Sequence, residues 1–178
     1  MRARCQRTGN RPSGARRTST RAGLKKHGKS YFAYKVSAKA DKRYKLVRKI
    51  KISTASEHDT LHFEDVLDRG NTSRDILADK GYVDGEREAR LSQQGWRMHI
   101  QRKGSRGKPI SAAQERRNKR IAKTRARVEH VFAGLAQLGG KALRSIGLAR
   151  ATLQLNWKVA AYNLRRLVYL KEAGIEAF

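Results

Sequence analysis

The stretch that most constrains the fold is Lys119–Gly140, KRIAKTRARVEHVFAGLAQLGG. Its apolar residues Ile121, Val128, Phe132 and Leu135 recur at helical spacing, and Lys119, Arg120, Lys123, Arg125 and Arg127 coat the remainder. Gly139 and Gly140 end the pattern, as C-terminal glycines do. One acid, Glu129, stands among the cations, with Arg125 a turn before it. It is either their counter-ion or a metal ligand beside a phosphate-binding surface. The rest of the chain has to separate these.

The excess of cations extends over the whole chain. In 178 residues, 42 Lys and Arg stand against 15 Asp and Glu, a net charge of +27. Such a protein repels itself unless it meets a polyanion, and nucleic acid leads as the partner. A membrane surface is the weaker alternative, because no long basic segment carries an aromatic-rich apolar face. No apolar run of about 18 residues is present, so no membrane span is expected. No apolar core follows the basic start, which argues against secretion. The single Cys5 excludes an internal disulfide and a Cys-rich zinc cluster. The cytosol, in contact with nucleic acid, fits best.

Residues 1–30 contain no acid, and Arg2, Arg4, Arg7, Arg11, Arg16, Arg17 and Arg21 lie among Gly, Ser, Thr and Pro. Residues 1–24 read as a disordered basic leader, either a phosphate-following arm or without function. Tyr31–Lys39 and Tyr44–Ile52 suit two strands of a hairpin, turned at Asp41-Lys42. Ser56–Asp59 fits a capping box, with a helix over Glu57–Asp68. Asp75–Ala78 reads as a short buried strand that delivers Asp79 to its carboxyl end. Gly81 would permit a tight turn before a helix over Asp84–Gln94. Trp96–Gln101 alternates as another strand, and Arg102–Pro109 is a cationic, glycine-rich loop before Ser111, a helix cap. Leu148–Leu170 is a last long helix, with Leu153, Trp157, Ala160, Leu164 and Leu167 on one face. This order predicts an α/β or α+β layer fold.

Asp79 is the first candidate for chemistry, since α/β proteins place functional groups where a strand ends. A cap or a loop acid paired with lysine is the plainer reading of the residue alone. Glu129 is the second, and its plainer reading is an ion pair with Arg125, worth about 0.2–0.5 kcal/mol. If the two carboxylates converge, they can hold Mg²⁺ or Mn²⁺, because hard cations prefer oxygen. Such ions activate water in phosphodiester cleavage. His58 and His62 have metal-compatible spacing but read as surface histidines, and Trp96 and Trp157 read as core. Arg102, Lys103, Arg106 and Lys108 in the loop read as phosphate contacts without sequence readout.

Several stretches together resemble one family. They are KKHGKSYFAYKVS at 25–37, STASEHD at 53–59, ADKGY at 78–82, RKGSRGKPIS at 102–111, RARVEHVFAGLAQLGGKALRSIGLARA at 125–151 and AYNLRRLVYL at 161–170. The combination is similar to the C-terminal portion of bacterial insertion-sequence transposases of the DDE type, in the group related to insertion sequence five. The resemblance implies an RNase H-like core over residues 25–172, with 173–178 as a tail. It implies that Asp79, in the D-x-G-Y motif with Gly81 and Tyr82, is a catalytic and metal-binding aspartate. In the helix motif Y-x2-R-x3-E-x6-K, it implies that Glu129 is the catalytic glutamate and Arg125 the motif arginine. The motif's Tyr and Lys positions are here Ala122 and Ala136.

The resemblance further implies two Mg²⁺ or Mn²⁺ ions, and cleavage at element ends followed by strand transfer. The implied partners are the element's terminal inverted repeats and target DNA, with a possible homodimer on DNA in a bacterial, nucleoid-associated setting. The family's first catalytic Asp lies on a strand upstream of the hairpin, and residues 1–24 contain no Asp and no Glu. The expectation is therefore a truncated, inactive copy whose sheet lacks its first strand and is gapped. A non-enzymatic basic nucleic-acid-binding protein, such as a ribosome-associated one, and a metal-dependent nuclease are the competing readings.

Overall fold

A computed structural model describes residues 23–26, 29–32, 34–140, 143 and 147–175. The leader expected over 1–24 lies outside the described residues except for 23 and 24. Strands β1 (Gly23–Lys26) and β2 (Lys29–Phe32) form an antiparallel pair in which Lys26 lies opposite Lys29. Strand β1 has no counterpart among the expected elements. Strands β3 (Tyr34–Ala40) and β4 (Val47–Thr54) form the expected antiparallel hairpin, from Tyr34 opposite Thr54 to Ala40 opposite Val47. Its turn is longer than Asp41-Lys42: the Asp41 N–H donates to the Leu46 carbonyl at 2.7 Å, and Lys45 takes a positive φ of 59°.

The helix expected over Glu57–Asp68 is replaced by two 3-10 turns, Asp59–His62 and Glu64–Val66. The Ser56–Asp59 capping box does not form; the first turn is capped by His58, whose Nδ1 accepts from the Thr60 N–H at 3.4 Å. The Glu57 carboxylate accepts from the Thr54 N–H at 3.2 Å and the Thr54 hydroxyl at 2.6 Å. His62 is then held between Glu57 Oε2 at 2.7 Å and Asp65 Oδ2 at 3.1 Å, bonds that tie the segment down without α-helical spacing.

Strands β5 (Asp75–Ala78) and β6 (Arg97–Ile100) pair in parallel, joined by helix α1 (Gly85–Gln93). The Asp84 side chain caps α1 by accepting from the Arg87 N–H at 3.2 Å. Phe63, Ile76, Ala78, Leu91, Trp96 and Ile100 bury one another here, so Trp96 is core as expected. The architecture is mixed α/β with small sheets: among the described residues there are three two-stranded sheets and no larger one.

Helix α2 (Ala112–Gln137) is capped by Ser111, whose hydroxyl accepts from the Gln114 N–H at 3.3 Å, and it closes at Gly139, where φ is 73°. Ile121, Val131 and Leu135 are its buried residues, while Phe132, expected in the apolar stripe, is 41% exposed. Helix α3 (Leu148–Glu172) departs further from expectation. Leu153, Trp157 and Leu164 are 60%, 70% and 64% exposed, and Ala160 is exposed too. Its buried side instead carries Ala151, Leu155 and Leu170. Polar residues set this rotation. Asn163 exchanges both backbone bonds with Val47 at 2.9 Å each, the Tyr162 hydroxyl donates to the Lys45 carbonyl at 2.9 Å, and Arg166 donates to the Tyr44 carbonyl at 2.7 Å. Turning Trp157 inward would break all of these. No described helix is long and apolar enough to cross a membrane.

Candidate active site and nucleic-acid interface

Asp79 is the first residue past β5, where the parallel pair with β6 ends and the 3-10 turn Lys80–Tyr82 begins. Its Oδ1 accepts from the Lys80 N–H at 2.6 Å, and its carbonyl accepts from the Tyr82 N–H at 3.0 Å. Asp79 thus caps its own turn while Asp84 caps α1. Gly81 is not needed for backbone reasons: its φ is not positive, and a Cβ there would meet nothing within 4 Å. Tyr82 packs on Phe63 with ring centroids 5.2 Å apart, and burial pushes its phenol upward, helped by Asp59 and Asp79.

Helix α2 packs on β5 and brings Arg125 to this end of the strand. Arg125 Nη1 lies 3.6 Å from Asp79 Oδ2 and donates to Gln101 Oε1 at 3.5 Å. Arg125 therefore faces Asp79, and no Arg125–Glu129 ion pair forms. Glu129 lies one turn further along α2, exposed, with no hydrogen bond or ion pair among the described residues. The two carboxylates are oxygen donors of the kind a hard cation takes. Their number does not fit, since no group of three or more His, Cys, Asp or Glu that could hold a metal ion exists among the described residues. Asp79 also already shares its free oxygen with a guanidinium.

The loop divides into two kinds of cation. Arg102 reaches back to Glu88, with Nη1 donating to Oε1 at 2.9 Å and Nη2 to Oε2, and its backbone exchanges 3.0 and 2.9 Å bonds with Asn118. It anchors the loop to α1 and α2. Lys103, Arg106 and Lys108 are exposed and carry no ion pair among the described residues. Ser105 and Lys108 exchange backbone bonds across a turn in which Gly107 has a φ of 79°, which presents Arg106 and Lys108 outward. On α2, Arg116, Arg120, Lys123 and Arg127 follow at i, i+4, i+7 and i+11, a basic stripe about 16 Å long.

A cleft of about 880 Å³ is lined by Val36–Ala40 of β3 and by Asp75–Asp79 at the end of β5. Helix α2 contributes Thr124, Arg125, Arg127, Val128 and Phe132. Sequence reasoning missed Lys39, Arg43 and Arg127 as cleft cations, because nothing local signals contacts across about 85 residues, such as the 2.7 Å bond from Arg127 to the Lys42 carbonyl. Burial lowers the Lys39 ammonium's affinity for its proton, and the cations Arg48, Lys49 and Arg74 add to this against the opposing pull of Asp68.

Residues 6–164 match the family described as Transposase DDE domain. A relative, the transposase for insertion sequence element IS1106 of Neisseria meningitidis serogroup B, is 29% identical over 142 residues. These are 79% of this chain and 49% of the relative, so the chain spans about half the length of the curated relative it matches. No solved structure matches the chain.

Proposed function

The chain belongs to the transposase DDE-domain family, and from that premise we propose that it is part of the catalytic core of an insertion-sequence transposase that acts on DNA. The observation that carries this reading is the meeting of Asp79 and Arg125 at the end of β5, beside the α2 stripe and the free cations of the 102–109 loop. Lys103, Arg106, Lys108 and the stripe would follow phosphates, while Asp79 and Glu129 would supply two of the family's carboxylates. The family uses divalent metal ions, and Mg²⁺ or Mn²⁺ is the ion we propose. These two acids do not by themselves make a site for one, and no reaction step is assigned to them alone. The small described sheets are read as parts of an RNase H-like sheet, and pairing of two copies on DNA belongs to the same reading.

Two measurements test it. Affinity for a labelled duplex should fall steeply with salt, and changing Lys103, Arg106 and Lys108 together to Ala should lower the log–log salt slope by about 0.9 for each phosphate no longer neutralised. An unchanged slope removes the loop from the interface. In a nicking and strand-transfer assay on the element's terminal repeats with Mg²⁺ or Mn²⁺, the 178-residue chain should be inactive. Activity that disappears in Asp79→Ala and Glu129→Ala would overturn the incomplete-core reading. A non-enzymatic nucleic-acid-binding role is the second reading, favoured by Glu129, which carries no hydrogen bond or ion pair among the described residues; duplex binding indifferent to the element's repeats would support it.

A further inference from the structure

The face of α2 that carries the basic stripe does not end at Arg127. Continued at the same spacing it passes through His130, Gly134 and Gln137, at i+14, i+18 and i+21 from Arg116. These three residues line a second, smaller hollow of about 260 Å³, together with residues of α3 and of the β3–β4 turn. Lys45 comes from the turn, and Arg165 and Arg166 from α3. No Asp or Glu lines the hollow among the described residues. None of Lys45, His130, Arg165 and Arg166 forms an ion pair among them. Like charges gathered in one concavity repel each other and raise the local concentration of anions.

Packing and hydrogen bonds hold these groups in place. A Cβ at Gly134 would lie 2.6 Å from Tyr162 Cε2, so the glycine lets the Tyr162 ring rest against α2, with His130 and Gln137 one turn to either side along the helix. The Tyr162 hydroxyl holds the Lys45 carbonyl at 2.9 Å, and the Lys45 N–H donates to the Asp41 carbonyl at 3.2 Å. Lys45 has a φ of 59°, in the left-handed region where glycine is the usual residue. A lysine kept there stands against its own backbone preference, and such outliers cluster at ligand sites. Arg166 donates through Nε to the Tyr44 carbonyl at 2.7 Å, and its guanidinium lies 4.6 Å from the Tyr169 ring centroid. Its Nη atoms are left without a hydrogen bond among the described residues. Donors fixed in advance lose little freedom when a ligand arrives. The volume of about 260 Å³ falls below the roughly 300–1,000 Å³ that encloses a drug-sized molecule, and suits a phosphate-sized group whose remainder lies outside.

We propose that this hollow is a phosphate-binding pocket, and that it seats a backbone phosphate of the nucleic acid that follows the α2 stripe. Lys45, Arg165 and Arg166 supply the charge, and His130 and Gln137 supply further hydrogen bonds. The cationic 102–109 loop is bonded to Asn118, near the start of α2, whereas the pocket lies toward the end of that helix. From Arg116 to Gln137 the track is about 32 Å long, or about nine base steps along one strand. The nucleic acid is therefore held at both ends of α2. The phosphate chemistry stands on the pocket's own geometry, whereas its assignment to DNA rests on the proposed function.

The test uses the full 178-residue chain and follows acylation of the Lys45 amine by mass spectrometry. Lys171 is the internal control: nine residues, about 2.5 turns, past Tyr162, it lies on the opposite side of α3. The probes are inorganic phosphate and a labelled duplex, each compared with sodium chloride at the same ionic strength. Saturating phosphate or duplex should slow acylation of Lys45 about fivefold or more, with Lys171 unchanged. Lys45→Gly removes the amine at a position whose φ suits glycine, so the melting temperature should hold. Combined with Arg165→Gln, it should weaken duplex binding about tenfold at low salt and lower the log–log salt slope by about 0.9, for one phosphate. Bound duplex that leaves Lys45 unprotected, or unchanged affinity in the double variant, overturns the pocket and leaves the proposed function standing. Equal protection of Lys171 means general attraction to the charged surface and overturns the pocket as well. Protection of Lys45 by inorganic phosphate with no duplex binding overturns the nucleic-acid assignment and the proposed function together, and leaves a site for a free anion.

Discussion

The two tryptophans divide the molecule. Trp96 is 2% exposed in the part built from β5, β6 and α1, while Trp157 is 70% exposed on α3, in the part built from β3, β4, α2 and α3. The first part closes on itself. Its core joins residues from two strands, a helix and a 3-10 segment, and most of its acids are paired: Glu64 meets Arg87 and Arg90, Asp75 meets Arg97, and Glu88 meets Arg102. The second part has a smaller core of Val47, Val131 and Leu135, and is held largely by polar side chains reaching backbone groups. Its described residues after Glu88 include only three acids, Glu115, Glu129 and Glu172. Neutralised charge and a closed core accompany a structural role. Unneutralised charge marks the part that must meet something else.

The largest expected effect breaks the comparison at its source. Trp96→Ala should cost about 3–5 kcal/mol in urea unfolding, through reduced burial and a cavity. Trp157→Ala should change stability by less than about 0.5 kcal/mol, as exposed positions do. Equal losses would mean that the α3 face is covered in solution.

Next is the packing of α2 against α3. Glycine inside a helix costs about 1 kcal/mol relative to alanine, so Gly134→Ala would help if space allowed. A Cβ there would lie 2.6 Å from Tyr162 Cε2, and the Tyr162 hydroxyl is held by the Lys45 carbonyl. The expected outcome is a net loss of about 1–3 kcal/mol from overpacking. A rise in melting temperature would show that the ring moves freely.

Acid should act on the first part. The Arg97 guanidinium, at 2.7 Å, holds the Asp75 carboxyl down at about 2, with His99 and Ser73 assisting. The carboxyls of Glu57, Asp65 and Asp68 are lowered as well, by Thr54, His62 and Arg48 in turn. A depressed folded-state value means stability that is present above the unfolded value, near pH 3.8, and lost as pH falls through about 2. Urea midpoints measured down this range should fall, and Asp75→Asn should flatten the fall. An identical profile in that variant would assign the acid sensitivity elsewhere.

The smallest expected effect is at Gly81. Gly81→Ala should leave stability within about 0.5 kcal/mol, since its surroundings are open and its φ is ordinary. If duplex binding nonetheless drops, the glycine serves an incoming ligand.

How much was legible follows from which forces are local. The hairpin, β5, β6 and α1 could be read because alternation, short apolar runs and the Asp84 cap act within a few residues. The helix expected over 57–68 could not, because His62 is captured by Glu57 and Asp65, and these bonds override helical spacing. At the site, the sequence pointed to Asp79, Arg125 and Glu129 and left Glu129 as either the partner of Arg125, its neighbour on the helix, or a metal ligand. The pairing with Asp79 depends on α2 lying against β5.

By itself the sequence determined most of the elements, the cationic character and the family motifs, which depend on residue type and spacing. Tertiary structure alone decided which of the two apolar faces of α3 is buried. Both faces are hydrophobic, so only the bonds of Tyr162, Asn163 and Arg166 to the β3–β4 turn and strand discriminate between them. It also decided that Arg102 is an anchor while its neighbour Lys103 is free, and that residues of β3, β5 and α2 line one cleft. Those facts lie in interactions between residues distant in the chain, which no local pattern encodes.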